Sequence, residues 1–237
     1  MLLSEDQNYK VSLSPDTVAD YASRSSLNAG EAVVFGTYAP FIKDARVLDI
    51  GVGGGRTSLF LMPNCKSYKA VDYSAPMIDA CRARFPFCKD AFEVGDARDL
   101  SGFGRGQFDF VLFAYAGLDS VGHDDRLKVL GEVRAALAEH GLFYFSTHSL
   151  HTFPFDDPEV QARNAHFDPA ELRSRGWVQL TDKRADVFLY YVYPDFQVRQ
   201  LQEAGFEVLL VLDMGGQPFD FSHPPRDWLV TFLCRKA

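Results

Sequence analysis

The clearest chemical pattern in the sequence is three glycines at alternate positions, Gly51, Gly53 and Gly55, which follow an apolar run at residues 47–50. Only Asp49 interrupts this run, which otherwise reads as a buried strand of a parallel sheet. Glycines let the chain turn sharply and let a ligand approach the bare backbone. A strand, a glycine turn and a helix in this order form a nucleotide-binding crossover. An ordinary tight turn is the alternative interpretation.

The spacing of these glycines and of two later acidic residues indicates the kind of nucleotide. A dinucleotide loop usually has the pattern GxGxxG, but this loop has GxGxG followed by Arg56. Asp49 would repel a pyrophosphate, whereas it can accept hydrogen bonds from an ammonium group or hold the loop. Asp72 ends a second apolar run, about 20 residues after the first glycine, where a carboxylate suits a ribose diol. A third element supplies Asp96.

In these motifs the chain resembles the class I S-adenosylmethionine-dependent methyltransferases. Four motifs in the family's order and spacing carry the resemblance: Val47–Gly55, Val71–Ser74, Val94–Ala97 and Phe108–Phe113. They are specific for the superfamily and not for any substrate. The resemblance implies S-adenosylmethionine as the cofactor and S-adenosylhomocysteine as its product.

The resemblance also implies a set of cofactor-binding residues. The glycines would pass the methionine moiety, with Asp49 near its ammonium, while Asp72 would hold the ribose and Asp96 would accept from the adenine amine. Tyr21 and Arg24 would close over the methionine end of the cofactor, with Arg24 pairing with its carboxylate. The alternative is that both only lie on the surface of a helix. The expected cofactor contacts are Tyr21, Arg24, Asp49, Gly51, Gly53, Gly55, Asp72, Tyr73, Met77, Asp96, Ala97, Arg98, Phe113 and Ala114.

Four residues are candidates for the proton transfer that methylation of a hydroxyl requires. Methyl transfer is an in-line displacement, so alignment supplies much of the rate, but a hydroxyl acceptor benefits from a general base. His123 and Asp119 follow the fourth predicted strand, and His148 and His151 follow the fifth. Each of them can instead be a loop residue bonded to backbone or solvent. The pair His148 and His151 has no third ligand in register, so we expect no metal.

Composition restricts the partners of the chain. Its 237 residues are 47% hydrophobic and 24% charged, and the net charge of −8 offers no basic face for nucleic acid. Four cysteines without a CxxC pair indicate reduced thiols in a cytoplasmic protein. No apolar stretch reaches the ~18 residues that a membrane span needs. We expect neither nucleic-acid nor membrane partners, and a monomer or homodimer.

The alternation of strands and helices predicts an α/β fold of the Rossmann type. We expect seven strands in a mostly parallel sheet with helices on both faces, and the resemblance implies an antiparallel last strand between the fifth and sixth. Residues 1–45 would form an N-terminal helical cap and residues 46–237 the methyltransferase domain. Within it, residues 148–193 form an aromatic-rich insertion after the fifth strand, which would lie over the active site as a lid and line an acceptor pocket or form a small satellite core.

The expected function is transfer of a methyl group from S-adenosylmethionine to an oxygen or nitrogen atom of a small metabolite or sugar. A methyltransferase of proteins or other macromolecules is one alternative. A non-catalytic partner that only binds the cofactor is another. An NAD-dependent oxidoreductase is disfavoured by the missing GxGxxG spacing and by the presence of Asp96.

Overall fold

A mixed nine-stranded sheet organises the described part of the computed structural model, which comprises residues 5–163, 168–181 and 187–237. The strands are β1 (Arg46–Ile50), β2 (Ser67–Asp72), β3 (Phe92–Val94), β4 (Phe108–Phe113), β5 (Leu137–Ser149), β6 (Trp177–Thr181), β7 (Phe188–Val192), β8 (Phe206–Leu212) and β9 (Leu229–Lys236).

Seven of these strands form the predicted sheet. β3, β2, β1, β4 and β5 are parallel neighbours in this order. β9 then pairs antiparallel with both β5 and β8, so it lies between them. The expected fold class is confirmed, and the last strand has the position and direction that the resemblance implies.

Two further strands come from the predicted insertion. β6 and β7 form an antiparallel hairpin, and β7 pairs in parallel with the end of β5 at His148 and Ser149. β4 reaches only as far as the pair Phe113–Phe145, and β9 occupies the other edge of β5 at His148. β7 therefore lies beyond the end of β4, over the carboxyl edge of the sheet. Residues 164–167 and 182–186 of the predicted insertion lie outside the described part.

The helices flank the sheet on both faces. They are α1 (Glu5–Ser12), α2 (Pro15–Ser23), α3 (Ala29–Thr37), α4 (Ala39–Lys43), α5 (Ser58–Leu61), α6 (Ala75–Arg84), α7 (His123–Ala136), α8 (Pro158–Arg163), α9 (Pro169–Arg175) and α10 (Pro194–Glu203). No helix among the described residues combines the length and the apolar character that crossing a bilayer requires.

Alternating side chains of the central strands explain the two helical layers. In β4, Phe110 and Leu112 pack into the core that contains Val34 of α3, whereas Val111 packs on the opposite face with Leu130 of α7. Successive strand residues point to opposite faces, so an almost continuous apolar strand requires helices on both sides.

One predicted helix has different limits. The sequence favours a helix from Arg126 to His140, but α7 begins at His123 and ends at Ala136. Leu137 is already extended and pairs with Phe108 across the sheet. The helix ends there because the backbone of Leu137 pairs with β4. This long-range interaction leaves no local signal in the sequence.

Candidate functional site

Two connected cavities lie at the carboxyl ends of β1, β2 and β4. The larger has a volume of about 580 Å³ and the smaller about 270 Å³. Tyr21, Gly51, Gly117 and Ser120 line both cavities, so the two form one cleft. Open α/β sheets bind ligands at this edge, where the strand order reverses; here the reversal lies between β1 and β4.

The glycine loop after β1 forms the boundary between the cavities. Gly51 has a φ of 61° and Gly53 a φ of 54°, a left-handed conformation that favours glycine. A Cβ atom on Gly51 would lie 2.5 Å from the ring of Phe113. The loop therefore needs glycine at Gly51 for its backbone conformation and for the close approach of Phe113.

Asp72 at the end of β2 lines the larger cavity. Its Oδ2 accepts a hydrogen bond from the N–H of Gly53 and its Oδ1 accepts one from the N–H of Ser74, each at 2.9 Å. Burial raises the pKa of Asp72, against the opposing effect of these two N–H groups. Each oxygen keeps a lone pair that can accept a hydrogen bond from a ligand hydroxyl.

The far end of the larger cavity contains Asp96, Ala97 and Arg98. Burial opposes ionisation of Asp96, but its hydrogen bonds with Arg98 outweigh burial, so the pKa is lowered. Arg98 also pairs with Asp125 at 2.9 Å. The charged groups at this end are thus satisfied within the protein, while the backbone around Ala97 borders the cavity.

Asp49 at the end of β1 lines the smaller cavity and is almost completely buried. Its Oδ2 accepts hydrogen bonds from Thr57 Oγ1 at 2.5 Å and from the Tyr68 hydroxyl at 2.7 Å. Burial is the largest influence and raises the pKa of Asp49 to about 7, despite those two bonds. A cationic ligand group beside Asp49 would stabilise its charged form.

Tyr21 and Arg24, at the end of α2, cover the cleft. Tyr21 lines both cavities and Arg24 lines the smaller one. The Arg24 guanidinium lies 4.3 Å from the centre of the Tyr21 ring and 5.1 Å from that of Tyr115, and it pairs with Asp20. Both residues therefore lie at the cleft, and their contact with the cofactor stays a prediction.

Arg56 is a cleft residue that the sequence did not reveal. It lines the smaller cavity and forms hydrogen bonds of 2.5 and 2.6 Å with the two oxygens of Glu31, which is fully buried. Glu31 also accepts from the N–H of Asn28 in the capping box that begins α3. This ion pair ties the glycine loop to the N-terminal helices.

His148 lines the smaller cavity, and Asp119 lies behind it. The Asp119 carboxylate is fully buried and accepts from Nδ1 and from the backbone N–H of His148, each at 2.7 Å. It also accepts from Thr147 Oγ1 at 2.5 Å and from Arg126, fully buried itself, at 2.9 Å. Asp119 therefore orients His148 and does not itself line the cleft.

The other two histidines lie elsewhere. His123 begins α7, where its ring stacks on Trp177 at 3.9 Å and Nδ1 lies 2.8 Å from the Tyr190 hydroxyl. His151 lines a separate pocket beside Tyr193. Burial lowers the pKa of both. Neither lines the two connected cavities, and within the described ranges no group of three or more His, Cys, Asp or Glu can hold a metal ion.

Most of the expected cofactor contacts lie along the cleft. Tyr73 and Phe113 line the larger cavity and Ala114 the smaller one. Met77 is buried in α6, and neither it nor Gly53 nor Gly55 is among the residues that line the two cavities.

The outer wall of the smaller cavity is built by four residues that the sequence analysis did not single out: Tyr115, Val187, Leu189 and Trp228. Tyr115 and its neighbour Ala116 have φ values of 53° and 59°, which is uncommon for residues other than glycine and often marks a functional loop. Trp228 precedes β9, whose antiparallel direction brings its start to this edge. The antiparallel direction implied for the last strand could therefore have indicated that Trp228 lies at the cleft.

Comparison with known proteins identifies the family of the central part of the chain. Residues 47–141 match the model of a family described as a methyltransferase domain. These residues form a methyltransferase domain. Over these residues the predicted family is confirmed, and with it the enzyme class. No curated protein matches the chain.

Solved structures share the fold of the chain. A 1,6-didemethyltoxoflavin-N1-methyltransferase of Burkholderia thailandensis, bound to 1,6-didemethyltoxoflavin and S-adenosylhomocysteine, is 17% identical with a TM-score of 0.65 over 97% of this chain and 89% of that one. A S-adenosylmethionine-dependent methyltransferase of Methanosarcina mazei is 20% identical with a TM-score of 0.61 over 82% and 93%. The glycopeptide N-methyltransferase MtfA, complexed with S-adenosylhomocysteine, is 17% identical with a TM-score of 0.59 over 95% and 99%. At these identities the likeness shows the fold.

Proposed function

We propose that this methyltransferase transfers the methyl group of S-adenosylmethionine to an oxygen or nitrogen atom of a small metabolite or sugar. The observation that carries the proposal is the continuity of the two cavities. They share Gly51 and Gly117, so a ligand in the larger cavity presents one end to the smaller cavity, which His148 lines.

The residues present fit the cofactor. In the larger cavity, the Asp72 oxygens would accept hydrogen bonds from the ribose hydroxyls, and Ala97 and Phe113 would contact the adenine. In the smaller cavity, Asp49 would pair with the ammonium and Arg24 with the carboxylate of the methionine moiety. The combined volume lies in the usual range for ligand sites, roughly 300–1,000 Å³.

When bound, the cofactor supplies a methyl group already activated on a sulfonium. The protein's own contribution would be alignment of donor and acceptor, which can replace much of the entropic cost of the reaction. Tyr21 and Arg24 cover the cleft and would keep water from it.

A small acceptor is supported by the size of the smaller cavity. The smaller cavity has a volume of about 270 Å³, and it is walled by residues of α2, β7 and the loops around them. The net charge of −8 disfavours a nucleic-acid acceptor. We also propose a cytoplasmic location, with which the four free cysteines agree. The proposed oligomeric state is a monomer or homodimer.

Calorimetric titration with S-adenosylmethionine, S-adenosylhomocysteine and NAD, in parallel, tests the cofactor. We expect binding of the first two and none of NAD; binding of NAD alone would contradict the proposal. Formation of S-adenosylhomocysteine with a small-molecule extract, compared with the protein fraction of the same cells, tests the acceptor. Turnover with the protein fraction alone would favour a protein methyltransferase. Cofactor binding without turnover in either fraction would favour a non-catalytic binding protein.

A further inference from the structure

The smaller cavity carries information about the acceptor itself. We infer that the acceptor is an uncharged aromatic compound with a hydroxyl group, and that Nε2 of His148 accepts the hydroxyl proton. This inference rests on the proposed function and narrows it from an oxygen or nitrogen acceptor to a phenolic oxygen.

The hydrogen bonds behind His148 fix its protonation pattern. Asp119 accepts from Arg126 and Thr147 while it also contacts Nδ1 of His148 at 2.7 Å. A carboxylate paired with a buried guanidinium is an acceptor, so the proton of this bond belongs to Nδ1. In the neutral imidazole, Nε2 then carries the lone pair. His148 lines the cleft, so this arrangement provides a base at the cleft.

The walls beside His148 favour a flat, apolar acceptor. The Trp228 ring lies 5.4 Å from the His148 ring and 6.1 Å from the Tyr115 ring, and Val187 and Leu189 add aliphatic groups to the same cavity. Aromatic and aliphatic side chains beside an oriented polar group are typical of sites for apolar ring compounds.

The charges around the cavity disfavour a cationic amine. The guanidinium groups of Arg24 and Arg56 lie 5.1 and 5.2 Å from the centre of the Tyr115 ring. The one acidic residue in the lining, Asp49, is the proposed partner of the cofactor's ammonium. Both guanidinium groups already have carboxylate partners. An ammonium acceptor would therefore find no free carboxylate in this lining, whereas a phenol enters the site uncharged and needs none.

The acidity of the hydroxyl also favours a phenol. A phenolic hydroxyl has a pKa of about 10, and an aliphatic alcohol is a much weaker acid. A phenol therefore gives up its proton to a general base more readily. In the reaction, an oxygen lone pair forms the O–CH₃ bond as the S–CH₃ bond breaks. That bond's electron pair stays on sulfur, giving a neutral thioether, and the hydroxyl proton moves to Nε2 of His148 and then to solvent.

The test compares matched acceptors and matched histidines. The probes are phenol, catechol and 2-naphthol, each beside its amino counterpart, with S-adenosylhomocysteine and the methylated product measured by mass spectrometry. We expect methyl ethers from the hydroxyl compounds. We expect His148→Asn to lower their formation by about 100-fold or more, with cofactor affinity within about twofold of the wild type. His123→Asn, the matched control outside the cleft, should leave turnover within about twofold.

A second readout does not depend on activity. Nitrogen NMR of the wild-type protein should show His148 protonated at Nδ1 and unprotonated at Nε2, and Asp119→Asn should shift this pattern. The opposite tautomer would overturn the inference, as would equal methylation of the amines by wild type and His148→Asn. If no hydroxyl compound is methylated while S-adenosylmethionine binds, the phenolic acceptor is refuted and the proposed cofactor stands. If the cofactor does not bind, both proposals fail.

Discussion

Asn8 and Phe188 lie 180 residues apart and share two hydrogen bonds. The N–H of Phe188 donates to Oδ1 of Asn8 at 2.8 Å, and Nδ2 of Asn8 donates to the Phe188 carbonyl at 2.6 Å. Nδ2 also lies 3.3 Å from the carbonyl of Ser120. One buried side chain thus connects α1 to β7 and to the loop after β4, across the top of the larger cavity.

Replacement of Asn8 should loosen this cover. Asn8→Ala leaves the backbone groups of Phe188 without their partner, at a cost of about 1–3 kcal/mol for a buried polar group. We expect faster cofactor dissociation, measured by stopped flow, and faster amide exchange in α1. Lys10→Ala, at an exposed position of the same helix, is the control. Equal dissociation rates in the two variants would show that Asn8 does not hold the cover.

The ion pair of Glu31 and Arg56 should be important for stability. Its two partners are buried, with side-chain exposures of 0% and 12%, so Glu31→Ala leaves a buried guanidinium without its carboxylate. We expect a loss of about 3–5 kcal/mol in the free energy of unfolding, measured with urea. Glu207→Ala breaks a similar pair with Arg235, exposed by 52% and 43%, and should cost at most about 1 kcal/mol. Similar losses in both variants would contradict this reading.

Gly54 should not tolerate a methyl group. A Cβ atom there would lie 2.4 Å from backbone atoms of Tyr21 and Ala22, so Gly54→Ala must displace the end of α2 from the cleft. We expect weaker cofactor binding by calorimetry and a lower melting temperature. In contrast, a Cβ on Gly131 in α7 meets nothing within 4 Å. Gly131→Ala should stabilise the protein by about 0.5–1 kcal/mol without changing affinity. An unchanged affinity in Gly54→Ala would refute the close approach.

Asp49 should make stability depend on pH. Its folded pKa of about 7 exceeds the value of about 3.9 expected in the unfolded chain. Between these values the folded protein binds more protons, so the free energy of unfolding falls as pH rises from about 4 to 7 and is level above. The effect is at most about 4 kcal/mol. Asp49→Asn should abolish this component because an amide does not titrate, while its oxygen can still accept from Thr57 and Tyr68.

The same titration should appear in cofactor binding. An ammonium beside Asp49 favours the carboxylate, so affinity for S-adenosylmethionine should rise with pH up to about 7 in the wild type and be flatter in Asp49→Asn. Parallel pH profiles of affinity for the two proteins would show that the ammonium binds elsewhere.

Asp72 should be needed for the ribose. Asp72→Asn replaces one acceptor with a donor that faces the N–H of Gly53 or Ser74, and it weakens the acceptor pair proposed for the diol. We expect cofactor affinity to fall by at least about tenfold, with a stability cost of about 1–3 kcal/mol. Asp79→Asn, on the exposed side of α6, should change neither. Retained affinity in Asp72→Asn would place the ribose elsewhere.

Local signals were sufficient for the regular elements of the fold. The predicted strand Phe108–Phe113 coincides with β4. Proline at Pro194 and glycine at Gly205 predict a helix that runs through Ala204, and α10 spans Pro194–Glu203. In these segments the apolar period and the end signals all lie within a few residues of one another.

The choice among the histidines depended on distant parts of the chain. His123, His148 and His151 look alike in sequence, since each follows the end of a predicted strand. His148 lies at the cleft because β5 extends past β4 and brings it against Asp119, 29 residues away. Asp119 was expected as a base in its own right. Its burial against Arg126 depends on the packing of α7, which no spacing in the sequence encodes.

The ribose and adenine side of the cleft and the wall around His148 come from different segments of the chain. Asp72 and Asp96 lie inside residues 47–141, the stretch that matches the methyltransferase family, whereas His148 and Trp228 lie after it. Substitutions after residue 141 can therefore alter the wall around His148 and leave Asp72 and Asp96 unchanged. Such a division would let the acceptor change while the proposed cofactor contacts of the matched stretch are kept.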